Sequence, residues 1–171
     1  TIRQYQAKGD FVNLILQVVA LDDAVSRYKA AKLFLKKNGY TVRRKLMVWC
    51  QGESDADVST PIADYKEMTQ NMAQAMIDEG IEKCFMVQIG HKNDTSGKYD
   101  PYIEAQSELC AADDRFVMVS EKFADNQASM KDLYHYHQSV YNEVGADAGK
   151  NIAAYYGDTT KNLPSTINII D

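Results

Sequence analysis

The sequence predicts an α/β domain built on a parallel sheet. Short apolar runs alternate with longer amphipathic stretches, the pattern of repeated strand–helix–strand units. With 171 residues, 45% hydrophobic and 25% charged, the chain has the size and make-up of a single domain, 1–171, with a full core. No internal repeat or low-complexity tract divides it.

The elements follow in order. FVNLILQVV at 11–19 carries both strand and helix signals. Asp22-Asp23 open a helical pattern with Val25, Tyr28, Ala31, Leu33 and Leu35 as apolar members, closed by Lys36-Lys37 and Asn38-Gly39. KLMVWC at 45–50 is expected to be a parallel strand buried on both faces. Thr60-Pro61 offers a helix start with Pro at the first helical position. Ile62, Tyr65, Met68, Met72 and Met76 then recur at helical spacing as far as Gly80, and the methionines fit core filling. A strand at 83–89, a helix at 101–112, a strand at 116–120 and a last helix at 137–156 complete the pattern. Gly145 and Gly149 weaken that last helix. The polar tail, 157–171, ends in the strand-like Ile167-Asn168-Ile169-Ile170.

Composition narrows the function. The net charge is −5, and no basic cluster extends beyond Lys36-Lys37 and Arg43-Arg44-Lys45, so nucleic acid is not an expected partner. No apolar run approaches the roughly 18 residues of a membrane span. The cysteines Cys50, Cys84 and Cys110 are too few and odd in number for a disulfide framework. Cys50 and Cys84 lie in apolar runs and read as small buried residues.

In a parallel sheet the functional groups gather at the carboxyl ends of the strands. Gln51-Gly52-Glu53 lies at one such end, Gly90-His91-Lys92-Asn93-Asp94 at the next, and Asp132-Leu133-Tyr134-His135 follows the third strand. These three loops are expected to meet on one edge. Asp132-x-x-His135 is the sharpest chemical pair. A carboxylate three residues before an imidazole can accept its Nδ1–H, fix the tautomer and stabilise the imidazolium when Nε2 takes a proton. His91 is a second candidate at this edge. His135 and His137 point to opposite faces of an extended segment, and no His-x-x-x-His spacing exists, so no metal site is expected. The tyrosines Tyr134, Tyr136, Tyr141, Tyr155 and Tyr156 suit packing around the last helix better than sugar stacking. Trp49 reads as core. Glu67, Glu79 and Glu82 read as a solvated face.

Taken together, Trp49-Cys50-Gln51-Gly52-Glu53-Ser54-Asp55-Ala56, Asp132-x-x-His135 and Tyr141-Asn142-x-x-Gly145 resemble the SGNH hydrolases. More narrowly, the chain is similar to the sialate O-acetylesterase-like branch that includes acetylxylan esterases. The likeness spans roughly residues 22 to 155. It implies a flavodoxin-like three-layer α/β/α sandwich and a serine esterase that removes O-acetyl groups from sugars or glycans without a cofactor. It also implies an extracellular or periplasmic home. His135 would be the general base, Asp132 its orienting carboxylate, and Gln51 a side-chain donor to the oxyanion. Gly52 would permit close backbone approach, Glu53 would order the site, and His91 would line the substrate pocket.

One block of the family is not found. Its nucleophilic serine sits in a Gly-Gln-Ser-Asn segment after the first strand, and this chain contains no such segment. The second-block glycine is not recognisable either. Ser54 follows Gly52-Glu53 and superficially resembles the Gly-Asp-Ser signature of the wider family. Only two candidate strands, 83–89 and 116–120, separate it from Asp132, too few for a serine on the first strand. That count suits the third-strand block, which makes Gln51 and Glu53 the working groups. The resemblance therefore implies that the nucleophile-bearing strand lies on a separate N-terminal segment of the same protein. The alternatives are a non-catalytic carbohydrate-binding relic of the fold and a hydrolase using Ser54.

Overall fold

A computed structural model describes residues 11–157 of the chain. The fold is α/β with a parallel three-stranded sheet. Its elements are α1 (Phe11–Lys37), β1 (Leu46–Trp49), α2 (Glu53–Val58), α3 (Ile62–Asp78), β2 (Lys83–Val87), α4 (Asp100–Ala112), β3 (Phe116–Ser120), α5 (Lys122–Asp125) and α6 (Gln138–Tyr155). A 3-10 turn, Gln127–Ser129, follows α5. The strand-like 167–170 lies outside the described residues.

Helix α1 begins well before Asp22-Asp23, which lie inside it rather than at its start. Phe11 to Lys37 holds no Pro or Gly, so nothing breaks the hydrogen-bond ladder at the acidic pair. The helix stops where the sequence requires it. Gly39 takes a φ of 76°, and the Tyr40 N–H donates back to the Leu35 carbonyl at 3.0 Å. Lys29 Nζ lies 2.8 Å and Lys32 Nζ 3.3 Å from Glu79, tying α1 to the end of α3. Helix α3 starts at Ile62, one residue later than the sequence suggests, with Pro61 as its N-cap residue. Its buried line is Tyr65, Thr69, Ala73 and Met76, with Met68 and Met72 half-buried beside it.

The strands lie in chain order, β1-β2-β3. Leu46 faces Lys83 and Val48 faces Phe85, while Cys84 faces Phe116 and Met86 faces Met118. Residues of β2 alternate between two clusters, as a pleated strand requires. Phe85 and Val87 pack with Val119 and with Val140, Val144 and Ala148 of α6. Cys84 and Met86 pack with Phe116, Ala73 of α3 and Leu109 of α4. Tyr155, the last residue of α6, and Tyr156 just after it also cover Phe85, their rings meeting it edge-on at 5.4 and 6.0 Å.

Strand β1 departs from expectation. Leu46 is 36% and Val48 54% exposed, so it is not buried on both faces. Among the described residues it pairs with β2 alone; Met47 and Trp49 pack against the Cys84–Met86 side of the sheet, while Leu46 and Val48 on the other face stay exposed. Cys50, which follows it, is likewise exposed rather than buried, whereas Cys84 in central β2 is buried. Trp49 is half-buried, and its indole N–H has no partner among the described residues.

Two glycines separate tight packing from free space. A Cβ on Gly90, just beyond β2, would lie 2.0 Å from Tyr136 Oη and 3.0 Å from Phe123 Cβ. A Cβ on Gly145, within α6, would meet nothing within 4 Å. Gly90→Ala is expected to destabilise the fold by about 2–3 kcal/mol through overpacking. Gly145→Ala is expected to stabilise it by about 0.5–1 kcal/mol through helix propensity. Urea unfolding of both variants beside the parent measures the two shifts, which should have opposite signs.

Candidate active site

The carboxyl ends of β1 and β2 are joined by one buried side chain. Gln106, on the apolar side of α4 with Tyr102, Ala105 and Leu109, is fully buried. Its Oε1 accepts the Ile89 N–H at 3.0 Å. Its Nε2 donates to the Gln51 carbonyl at 2.8 Å and to Tyr65 Oη at 2.9 Å. The Tyr65 hydroxyl donates to the same Gln51 carbonyl at 2.9 Å. Burial raises the Tyr65 phenol to about 12, so it remains a donor near neutrality. Gly52 lies against this group. A Cβ there would sit 3.0 Å from Ile89 Cδ1 and 3.2 Å from both Gln106 Nε2 and Tyr65 Oη, a close approach that favours glycine.

Gln51 turns its side-chain amide onto Asp55, with Nε2 2.5 Å from Oδ2. Glu53 opens α2 and is half-buried. Ser54 lies exposed in the first turn of α2, just past the strand-to-helix turn. Asp57, at the far end of α2, accepts from the Tyr99 hydroxyl at 3.1 Å, and its backbone carbonyl accepts from Lys98 Nζ at 2.7 Å. These contacts fasten the short helix to the segment ahead of α4.

The second half of the site is the loop before α6. The Asp132 carboxylate accepts the backbone N–H groups of Tyr134 at 2.8 Å and His135 at 2.7 Å. Its two oxygens lie 3.0 and 2.9 Å from His135 Nδ1. This is an Asx turn, the local preference of an Asp ahead of a tight loop. The bonds from Tyr134 N–H, the His135 ring and His135 N–H lower the Asp132 carboxyl to about 2. The ionised carboxylate thus takes Nδ1–H and leaves Nε2 as the basic atom. His135 Nε2 makes no hydrogen bond among the described residues, and neither does any serine hydroxyl bond to His135. The pair is open, with side chains 61% and 47% exposed, so it orients rather than stabilises.

The β2 end is stapled to this loop. Asn93 N–H donates to the Leu133 carbonyl at 3.1 Å and Asn93 Nδ2 to the Asp132 carbonyl at 3.2 Å. Gln127 Nε2 donates to the Lys92 carbonyl at 3.1 Å. Tyr136 Oη donates to the Phe123 carbonyl at 3.0 Å, against Gly90. Burial raises Tyr136 to about 12, with Tyr141, Glu53 and Cys50 adding to the effect. His91 pairs separately, its Nδ1 2.8 Å from Asp100 Oδ1 at the start of α4. It bonds to neither Asp132 nor His135.

His137 occupies the N-cap position of α6 without a side-chain capping bond. The tyrosines mostly pack as expected. Tyr136 is buried, with Tyr141 edge-on to it at 6.1 Å. Tyr134 is 47% exposed, with Lys92 Nζ 5.2 Å from its ring centre. The groove lined by Lys66, Gln70, Asp113 and Arg115 lies before β3, at the opposite end of the sheet. Its Asp113 and Arg115 are already paired with each other. Among the described residues no cluster of His, Cys, Asp and Glu suits a metal ion, and no helix is long and apolar enough to cross a membrane.

Sequence reasoning singled out Asp132, His135, Gln51, Gly52, Glu53 and His91; it read Tyr65 as an apolar helix member and did not consider Gln106. A polar Gln106 inside the apolar stripe of α4 was the available signal. The comparisons add no relative, for the chain matches no family model, no curated protein and no solved structure.

The depressed Asp132 carboxyl has a definite pH sense. Its contribution to holding the loop is present above the ordinary carboxylate range and is lost as pH falls towards about 2. A carbon-13 NMR titration of the Asp132 carboxyl should find that low midpoint. His135→Ala should raise it while leaving it below the ordinary value, because the two backbone donors remain.

Proposed function

We propose that this chain carries the base and oxyanion elements of a carbohydrate O-acetylesterase of the SGNH type. The observation that supports this best is the Asp132–His135 pair. Its carboxylate holds Nδ1 at 2.9 Å, and its Nε2 is free among the described residues.

In this reading His135 Nε2 takes the proton of a serine hydroxyl as the oxygen attacks an acetyl carbonyl. It then returns the proton to the departing sugar oxygen, and in the second half it activates water to release acetate. Asp132 keeps the imidazole in the productive tautomer. Gln51, whose amide has a second N–H beyond the one on Asp55, and the Gly52 turn lie where negative charge on the carbonyl oxygen is stabilised. Glu53 adds a carboxylate at the same strand end, and His91, held by Asp100, lines the acetylated carbohydrate site. No cofactor takes part in this chemistry.

The serine belongs on a further strand. The free edge and exposed Leu46 and Val48 of β1 fit one more parallel strand from an N-terminal segment of the same protein. That strand would complete a flavodoxin-like three-layer α/β/α sandwich and bring its hydroxyl to His135.

Hydrolysis of p-nitrophenyl acetate by the intact protein tests the reading. His135→Ala should lower kcat about a thousandfold and Gln51→Ala roughly a hundredfold, while Ser54→Ala and a chelator leave it unchanged. Absence of hydrolysis in the intact protein would favour a non-catalytic carbohydrate-binding role. Loss with Ser54→Ala would instead make Ser54 the nucleophile.

A further inference from the structure

We propose that Gln106 and Tyr65 are positioning residues that aim the Gly52 N–H at the acyl oxygen, as a second donor beside the Gln51 amide. The proposal rests on the esterase reading for its chemistry and on the buried hydrogen-bond group for its geometry.

A fully buried glutamine is costly unless its amide is satisfied. A bond from Oε1 to the Ile89 N–H would serve to staple α4 to β2. Gln106 does more, giving Nε2 to the Gln51 carbonyl and to Tyr65 Oη, while the Tyr65 hydroxyl converges on that same carbonyl. Two donors thus hold one backbone oxygen against the core. No peptide bond in the described chain is cis. In a planar trans peptide the carbonyl of one residue and the N–H of the next point in opposite directions. Clamping the Gln51 carbonyl inward therefore turns the Gly52 N–H away from Gln106 and Tyr65. That N–H donates to nothing among the described residues.

The arrangement has the two properties such a donor needs. Its direction is fixed before any ligand arrives, so no reorganisation is required as charge develops. It also follows Gln51 directly in the chain, and Gln51 Nε2 is itself fixed by Asp55 at 2.5 Å, so both proposed donors start from held positions. The absence of a Cβ on Gly52 lets the peptide sit against Gln106 and Tyr65 in the first place.

Acetate, the carboxylate product, serves as the probe. In nitrogen-15 spectra of the full chain, the Gly52 amide should move downfield as acetate is added. In Gln106→Leu the movement should fall severalfold. Tyr65→Phe, which removes one of the two donors without changing the volume much, should give an intermediate response and covers the case in which Gln106→Leu fails to fold. An unresponsive Gly52 in the folded parent, or an undiminished response in a folded variant, overturns the proposal.

Hydrolysis of p-nitrophenyl acetate by the intact protein, run in parallel, judges the esterase reading separately. Where the parent hydrolyses, Gln106→Leu should lower kcat about tenfold at an unchanged KM. A variant that loses only thermal stability and keeps kcat overturns the positioning role. Where the parent does not hydrolyse but Gly52 responds to acetate, the esterase reading fails and the clamp stands.

Discussion

The Gln106 amide is the constraint on which the rest of the site depends. One fully buried side chain fixes the peptide after β1, the peptide after β2 and the phenol of α3 relative to α4. Such an amide has no apolar substitute, because removing it leaves the Gln51 carbonyl and the Ile89 N–H each short of a buried partner. The ends of two neighbouring strands are thereby held in a single arrangement, and the loops that leave them start from fixed points.

The other half of the site obtains its geometry differently. Asp132 and His135 are open to solvent, and an exposed ion pair holds little by itself. Their alignment comes from the backbone. Two N–H groups fix the carboxylate, Asn93 ties the loop to the β2 end, and Tyr136 closes over Gly90. An exposed imidazole is thus positioned by a loop whose chain path is anchored at several points. The site combines a buried polar anchor on the sheet side with a locally folded turn on the loop side.

Much of this was readable in the sequence. The strands 46–49, 83–87 and 116–120, and helices 62–78, 100–112 and 138–155, all stand close to where apolar periodicity put them. The Asp132–His135 contact follows from their spacing. The misreadings have physical causes. Asp22-Asp23 looked like a helix start because acidic residues favour first turns, but no Gly or Pro on either side stops α1 there. The run at 45–50 looked doubly buried because apolarity records what a strand could cover, not whether a neighbour is there to cover it. Cys50 was misplaced for the same reason. The short α5 offered too few residues for periodicity to register. Gln106 was passed over, and Tyr65 read only as an apolar helix member, because their hydrogen-bond partners lie as far as 55 residues away in sequence.

The open edge of β1 also bears on how the protein behaves in concentrated solution. Among the described residues β1 has one unpaired edge beside exposed Leu46 and Val48, and such an edge is a template for pairing with another copy when nothing else covers it. The residues just before it are Arg43-Arg44-Lys45. Arg44 is held in place by Glu82 at 2.9 Å and by the Tyr156 ring, 4.0 Å from its guanidinium carbon. Charged residues flanking an apolar strand lower its tendency to pair with another copy, and Arg43 and Lys45 add to Arg44 at this end of β1. The basic cluster that says nothing about nucleic acid thus stands beside the most exposed apolar side chains of the sheet, Leu46 and Val48.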